Sequence, residues 1–206
     1  DPVIPVELGE VTEDDHKSDG YDKGHLCASE DRVYCKEAND QTFFYSNISP
    51  QIGSFNQKYW AKLEALIQKW GRSTQQGVFD KVYVAKGGTI NKLIKNWTGK
   101  QKANDGLYPT ANADGKTNPK SEKGLVVPQY YYMAILAEKD GKLQAIGFYV
   151  PHSEDLPAKP TTEDLQSYTC SIDYLEEQTG LDFFCNLMDN IEDEVEASFR
   201  LEDWQW

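Results

Sequence analysis

At 206 residues with a formal net charge of −13, the chain is long enough to bury a sizeable core and too acidic for a surface that attracts polyanions from every side. It holds no run of about eighteen apolar residues, so no segment reads as a membrane-spanning helix. No signal-like segment and no internal repeat is present, and one domain over residues 1–206 is expected.

From Asp1 to Asp19 the chain is polar and acidic with early prolines, an extended entry segment. Tyr21-Asp22-Lys23-Gly24-His25-Leu26 follows. Gly24 permits a tight backbone and close approach of a ligand, and Asp22 and Lys23 set both signs of charge beside an imidazole that titrates near neutrality. A neutral His25 can take a proton from water. Alone, such a segment is more often a turn than a site. Cys27 and Cys35 come next, and Val33-Tyr34 and Thr42 to Ser46 read as short strands. The unit is therefore expected as strand, loop, strand, helix, with His25 opposite the helix start.

Phe55 to Trp70 is the helix, since Trp60, Leu63, Ile67 and Trp70 recur at three- and four-residue steps. Ser54 and Gln57 fit a capping box. Asn56 then lies in the first turn, where unpaired amides and the helix dipole favour phosphate, and its amide oxygen is a hard neutral ligand suited to magnesium. Glu64 follows about 12 Å along and about 80° around a regular helix, too far for both to chelate one ion. Holding the ion's water is one reading of Glu64; the other is that Asn56 is a helix-start residue and Glu64 a solvated flank of an amphipathic helix.

Asp80 to Ala85 has the pattern of a buried strand that turns at Gly87-Gly88. Between Lys86 and Lys123, eight lysines stand against Asp105, Asp114 and Glu122, a local charge of +5. This long stretch is either a basic flap that guides a nucleic-acid strand or a solvated loop. Val126 to Leu136 and Leu143 to Val150 are strands joined by a turn at Lys139-Asp140-Gly141. Within the first, Tyr130-Tyr131-Tyr132 fits core alternation better than base stacking. Ser171 to Gln178, stopped by Gly180, and Leu187 to Phe199 are helices.

His16 and His152 are expected at the surface. Asn47-Ile48-Ser49 and Asn96-Trp97-Thr98 match the glycosylation pattern. Four cysteines allow three pairings, among which the sequence does not choose; Cys27 with Cys35, and Cys170 with Cys185, fall as near pairs whose proximity favours local disulfide bonds and an oxidising compartment. A zinc site from His25, Cys27 and Cys35 lacks a fourth ligand, and a Cys–His protease lacks an orienting partner.

The segments Tyr21 to Leu26, Tyr45-Ser46-Asn47-Ile48-Ser49-Pro50-Gln51 and Phe55-Asn56-Gln57 to Glu64 resemble, in order, spacing and identity, the DNA/RNA non-specific endonuclease family of ββα-metal, or His-Me finger, nucleases. The similarity is dense over residues 21–64 and weaker to near Asn186, where Thr179-Gly180-Leu181-Asp182-Phe183-Phe184 looks like the family's closing motif. The resemblance implies an α+β fold, a central mostly antiparallel sheet with a ββα-metal unit on one face. It implies a single endonuclease domain and, because the family has strands before the counterpart of Asp1, a processed or trimmed chain without that segment.

The implied activity is Mg2+-dependent hydrolysis of DNA and RNA phosphodiesters, with Mn2+ as a substitute, leaving 5′-phosphate ends. His25 matches the general base, Asn56 the single protein ligand to the metal, and Glu64 the carboxylate that orients the ion's water. Lys23 stands at the usual Arg, where it offsets phosphate charge without the planar fork; Lys23 and Asn56 are the substrate-binding positions. A second family Arg is Gln68 here, and a third has no counterpart. A secreted or periplasmic location, or a tethered precursor, is implied. DNA and RNA are the expected partners, with a homodimer and an inhibitor protein left open. The other reading is a catalytically weak nuclease-like domain that binds nucleic acid or a protein partner, motivated by Lys23, Gln68 and the acidic surface. A third is hydrolysis of a smaller phosphodiester.

Overall fold

Two short strands, β1 (Asp22–His25) and β2 (Ile48–Gln51), pair antiparallel with Asp22 opposite Gln51 and His25 opposite Ile48. The computed structural model describes residues 1, 4, 13–16, 20–71, 78–94 and 125–206. It divides into two units, Asp1–Asn56 with Gly88–Gln129 and His152–Glu154, and Gln57–Gly87 with Tyr130–Pro151 and Asp155–Trp206. Most of the entry segment, the lysines from Lys95 to Lys123 and the Asn96 glycosylation triplet lie outside the described residues.

In the first unit the strand–loop–strand–helix order holds, but the strands are not where composition put them. After a short α1 (Glu13–His16), Val33-Tyr34 follows a 3-10 turn, Ser29–Arg32, and residues 42–44 lie between α2 (Lys36–Gln41) and a second 3-10 turn, Tyr45–Asn47, that takes in residues 45 and 46. The physical reason is local. Cys35 caps α2 by accepting the Ala38 N–H on its sulfur, and the Asn47 amide donates to the Thr42 carbonyl at 2.8 Å. These bonds hold Phe43 and Tyr45 out of a ladder, so their rings pack instead on His25, His16 and Lys23. His16 and His152, expected at the surface, are 3% and 5% exposed.

The second unit is built on a sheet ordered β3 (Lys81–Gly88), β4 (Tyr130–Lys139), β5 (Lys142–Pro151), β6 (Thr169–Cys170), in which β4–β5 and β5–β6 pair antiparallel. The β4–β5 hairpin turns at Asp140 and Gly141, both at positive φ, as a tight two-residue turn requires. Alternation splits the side chains between two faces. Tyr132, Ala134, Leu136 and Ala145 pack with Ile172 and Leu175 of α5 (Ile172–Thr179) and with Phe183. On the other face Tyr131 meets Trp60, and Phe148 meets Trp70 of α3 (Ala61–Gly71). Helices therefore cover both sides of the sheet, a short α4 (Thr162–Gln166) leads into β6, and the expected α+β class with an antiparallel sheet is what forms.

Trp60, Leu63, Ile67 and Trp70 are all buried, as their spacing requires. Tyr131 and Tyr132 are core, while Tyr130 stacks on Tyr149. The strand expected as buried at 80–85 is instead an edge strand, with Tyr83 and Val84 exposed. Among the described residues no helix is long and apolar enough to cross a membrane.

The expected disulfide bonds are absent, and all four cysteines are free thiols. Each near pair is split by its surroundings. The Cys35 sulfur is engaged as a helix cap and the Cys27 thiol points to the Ala28 carbonyl. Cys170 is packed against the Tyr132 and Leu175 cluster, and burial pushes its thiol up to about 12, whereas Cys185 is exposed.

Candidate active site

Four residues of β1 and the helix that follows β2 set the geometry in the first unit. Successive side chains alternate, so Asp22 and Gly24 lie towards Gln51 and Lys23 and His25 lie towards the Phe43–Tyr45 turn. A Cβ on Gly24 would overlap the side-chain amide of Gln51, which crosses the strand there fully buried. Glycine between Lys23 and His25 is thus a packing requirement. Asp22 accepts a hydrogen bond from the Asn56 side-chain nitrogen at 3.0 Å. That bond orients the Asn56 amide and commits its nitrogen, so the oxygen is the atom it can offer a cation.

On the other side of the strand, the His25 ring meets Phe43 edge to face at 5.1 Å, and its Nε2 is shielded from solvent. Lys23 donates to the Tyr45 hydroxyl at 3.2 Å and lies 3.6 Å from Glu13. The Tyr45 hydrogen bond, and secondarily Glu13, raise its affinity for the proton, so it stays cationic. Asn47 holds the chain just past His25. Its side chain accepts from the Cys27 N–H at 2.9 Å and donates to the carbonyls of Cys27 and Thr42, while the Leu26 N–H donates to the Asn47 carbonyl.

The helix starts earlier than the Ser54–Gln57 capping box implies. Residues 53 and 54 are already helical, and the Asn56 N–H is bonded to the Ile52 carbonyl at 2.9 Å. The Asn56 backbone amide is therefore not one of the unpaired first-turn donors, and its side chain carries the chemistry. Phe55–Trp60 is wound as a π-helix before α3 begins, so the angle of about 80° derived for a regular helix does not apply over this stretch. Single π-turns inside helices occur often at functional sites. The start is anchored by His152. Its Nε2 accepts the Ile52 N–H at 2.6 Å, which leaves the proton on Nδ1 to donate to the Pro128 carbonyl at 2.8 Å. Burial pushes this imidazole down to about 4, so it is neutral and structural.

Glu64 belongs to the second unit and has its own partner there. Lys86 of β3 approaches it at 3.1 Å, both side chains being largely buried at 9% and 16% exposure. Sequence reasoning counted Lys86 among the eight lysines of the basic stretch and missed this pair. It also missed Asn47, Gln51 and His152 as supports. Asn47 and Gln51 stand within the segment that carries the family resemblance, the one signal that could have found them.

The donor set in the first unit fits a hard divalent cation. Asn56 offers an oxygen because its nitrogen is committed to Asp22, and the Asp22 carboxylate adds negative charge beside it. Magnesium characteristically keeps most of its waters and takes few protein ligands.

The profile of the DNA/RNA non-specific endonuclease family matches residues 1–190. The chain is similar to Nuclease C1 of Cunninghamella echinulata var. echinulata, 29% identical over 191 residues that cover 91% of this chain and 66% of that protein. It is also similar to the human mitochondrial Endonuclease G, 27% identical over 184 residues, 86% of this chain and 53% of that protein. The chain thus spans between about half and two thirds of the length of these relatives. Among solved structures, the EndoG/EndoGI complex matches with a TM-score of 0.66 at 24% identity, covering 91% of this chain and 68% of that one, a likeness of fold. With the family's profile running through nearly the whole chain and its motif residues set on a strand pair followed by a helix, the chain belongs to the DNA/RNA non-specific endonuclease family.

Proposed function

We propose that the chain is a metal-dependent endonuclease that hydrolyses DNA and RNA phosphodiesters and leaves 5′-phosphate ends. The observation that carries the reading is Asn56, its amide turned by Asp22 so that an oxygen remains for a hard cation, tied to the strand that ends in His25. In this proposal His25 takes a proton from the attacking water. Lys23, kept cationic by Tyr45 and Glu13, offsets charge on the phosphate. Asn56 would hold the divalent ion, with magnesium the expected metal and manganese a substitute. Bound there, it would supply Lewis-acid stabilisation of the leaving oxygen and of growing negative charge. Glu64, held by Lys86, is assigned to orienting the ion's water. Neither unit is a contiguous stretch of sequence, which favours one functional domain.

Plasmid cleavage with added Mg2+ and with EDTA tests this. Cleavage that requires the metal, with 5′-phosphate on the products, supports it; binding without metal-dependent cleavage would favour the weak nuclease-like reading. The contacts that hold Lys23 to Tyr45 and Glu13 are the observation behind that alternative, since a restrained ammonium replaces the bidentate fork of arginine. An inhibitor protein and a homodimer stay within the proposal as partners; the matched solved structure is an EndoG complex with EndoGI. Export from the cytosol is the proposed location, although the free thiols withdraw the disulfide argument for it and some relatives are named as mitochondrial. Fractionation of expressing cells decides between them.

A further inference from the structure

A group of carboxylates in the second unit, none of them used in the proposed chemistry, lies where α5 meets α6 (Asp189–Ala197). Asp173 and Glu176 come from successive turns of α5, and Glu196 from the last turn of α6. One carboxylate oxygen of each lies within 4.8 Å of the others. Oxygens that share one calcium ion at about 2.3–2.6 Å are at most about 5 Å apart, so the spacing is one that a single ion permits. Glu192, one turn before Glu196 on α6, and Asp182 in the loop after α5 add negative charge. Among the described residues no ion pair reaches any of the five.

Acidic surface clusters are common without ions, and what distinguishes this one is Glu196. It is 5% exposed, and its Oε1 is shielded from solvent without a hydrogen-bond partner among the described residues, while the carboxylate is directed at Asp173 and Glu176. A buried carboxylate left in that state is costly unless a cation or a proton joins it. Glu176 is held in place from outside the cluster, its Oε1 accepting the Phe183 N–H at 2.7 Å.

We propose that Asp173, Glu176 and Glu196 form a second divalent-cation site, of the calcium class, that ties α5 to α6 and is separate from the Asn56 position. Three carboxylates exceed the one or two that magnesium usually takes, and an all-oxygen set excludes the softer metals. Without an ion, burial first and the Glu176, Glu192, Asp173 and Asp182 charges next push the Glu196 carboxyl up to about 8.

The test is calorimetric titration with calcium chloride of the full chain carrying Asn56→Ala, which removes the ligand proposed for the catalytic ion, with melting temperature read in parallel. One calcium binds in the range of about 10⁻⁵–10⁻³ M and raises the melting temperature by several degrees. Adding Glu196→Gln weakens binding at least about tenfold and abolishes the shift. Glu176→Gln gives the same loss and keeps the test decisive if the first variant fails to fold. Equal calcium stabilisation with and without these substitutions, or no calcium binding to the Asn56→Ala chain up to millimolar concentration, overturns the proposal.

Discussion

Substituting Gly24 with alanine is the sharpest probe of how β1 carries its functional side chains. The new methyl would overlap the amide carbon and oxygen of Gln51. Gln51 is 0% exposed, with neither amide atom reaching a hydrogen-bond partner among the described residues, so it is held by packing and has no open space to swing into. Relief must come from parting β1 from β2. Overpacking of this kind costs about 1–3 kcal/mol, which lowers the melting temperature of a chain this long by roughly 2–12 °C. The strand that moves bears Lys23 and His25 on its other side, and a misplacement of about 1 Å near the reacting atoms costs on the order of 100-fold in rate. In the proposed nuclease, kcat should therefore fall far more than KM rises. Gln51→Ala in the Gly24→Ala background removes the obstacle, so the double variant recovers melting temperature and kcat relative to Gly24→Ala, with a coupling of about 1 kcal/mol or more. Melting curves and steady-state kinetics on the two single variants and the double complete the cycle. A Gly24→Ala protein with wild-type melting temperature and kcat would refute the packing argument.

Asn47→Ala strips three side-chain hydrogen bonds from the turn after His25 and should cost about 2–4 kcal/mol by urea denaturation, at roughly 1 kcal/mol per bond; a loss under about 0.5 kcal/mol contradicts the role given to it. His152 makes stability fall in acid. Its folded value of about 4 lies below the ordinary 6.5, so the unfolded chain binds the extra proton first. Stability is full above about pH 6.5 and declines towards pH 4 by up to about 3 kcal/mol. The wild type should lose that much more than His152→Gln over this window, and parallel curves would sink the assignment. Lys86→Ala leaves the Glu64 carboxylate buried beside a missing cation, at a cost of about 3 kcal/mol or more. Adding Glu64→Gln should restore most of that stability without restoring cleavage, and continued instability of the double variant would argue against the pair.

Local periodicity was the legible part of the fold. The apolar stripe of α3, the β4–β5 hairpin and the Ser171-capped α5 are all written in local spacing and turn residues. The two strands nearest the candidate site were not. Asp22-Lys23-Gly24-His25 and Ile48-Ser49-Pro50-Gln51 are short, polar and turn-like in composition, and only pairing across more than twenty residues makes them strands. Phe43-Phe44-Tyr45 misled in the opposite sense, because bonds from Cys35 and Asn47 overrule its strand propensity. The motif residues could be named from order and identity, but their supports depend on distant contacts. Lys86 for Glu64 and His152 for Ile52 are separated by 22 and 100 positions. The π-wound turn at Asn56 has no signature in residue type at all.

Single-turnover cleavage of plasmid DNA by His25→Ala, in saturating Mg2+ and beside the wild type, tests the central claim most directly, with circular dichroism to establish that the variant is folded. The proposed role predicts a loss of at least about 100-fold in the chemical step, the scale of general-base catalysis, with the fold and DNA binding retained. A folded His25→Ala protein that cuts at close to the wild-type rate would contradict it.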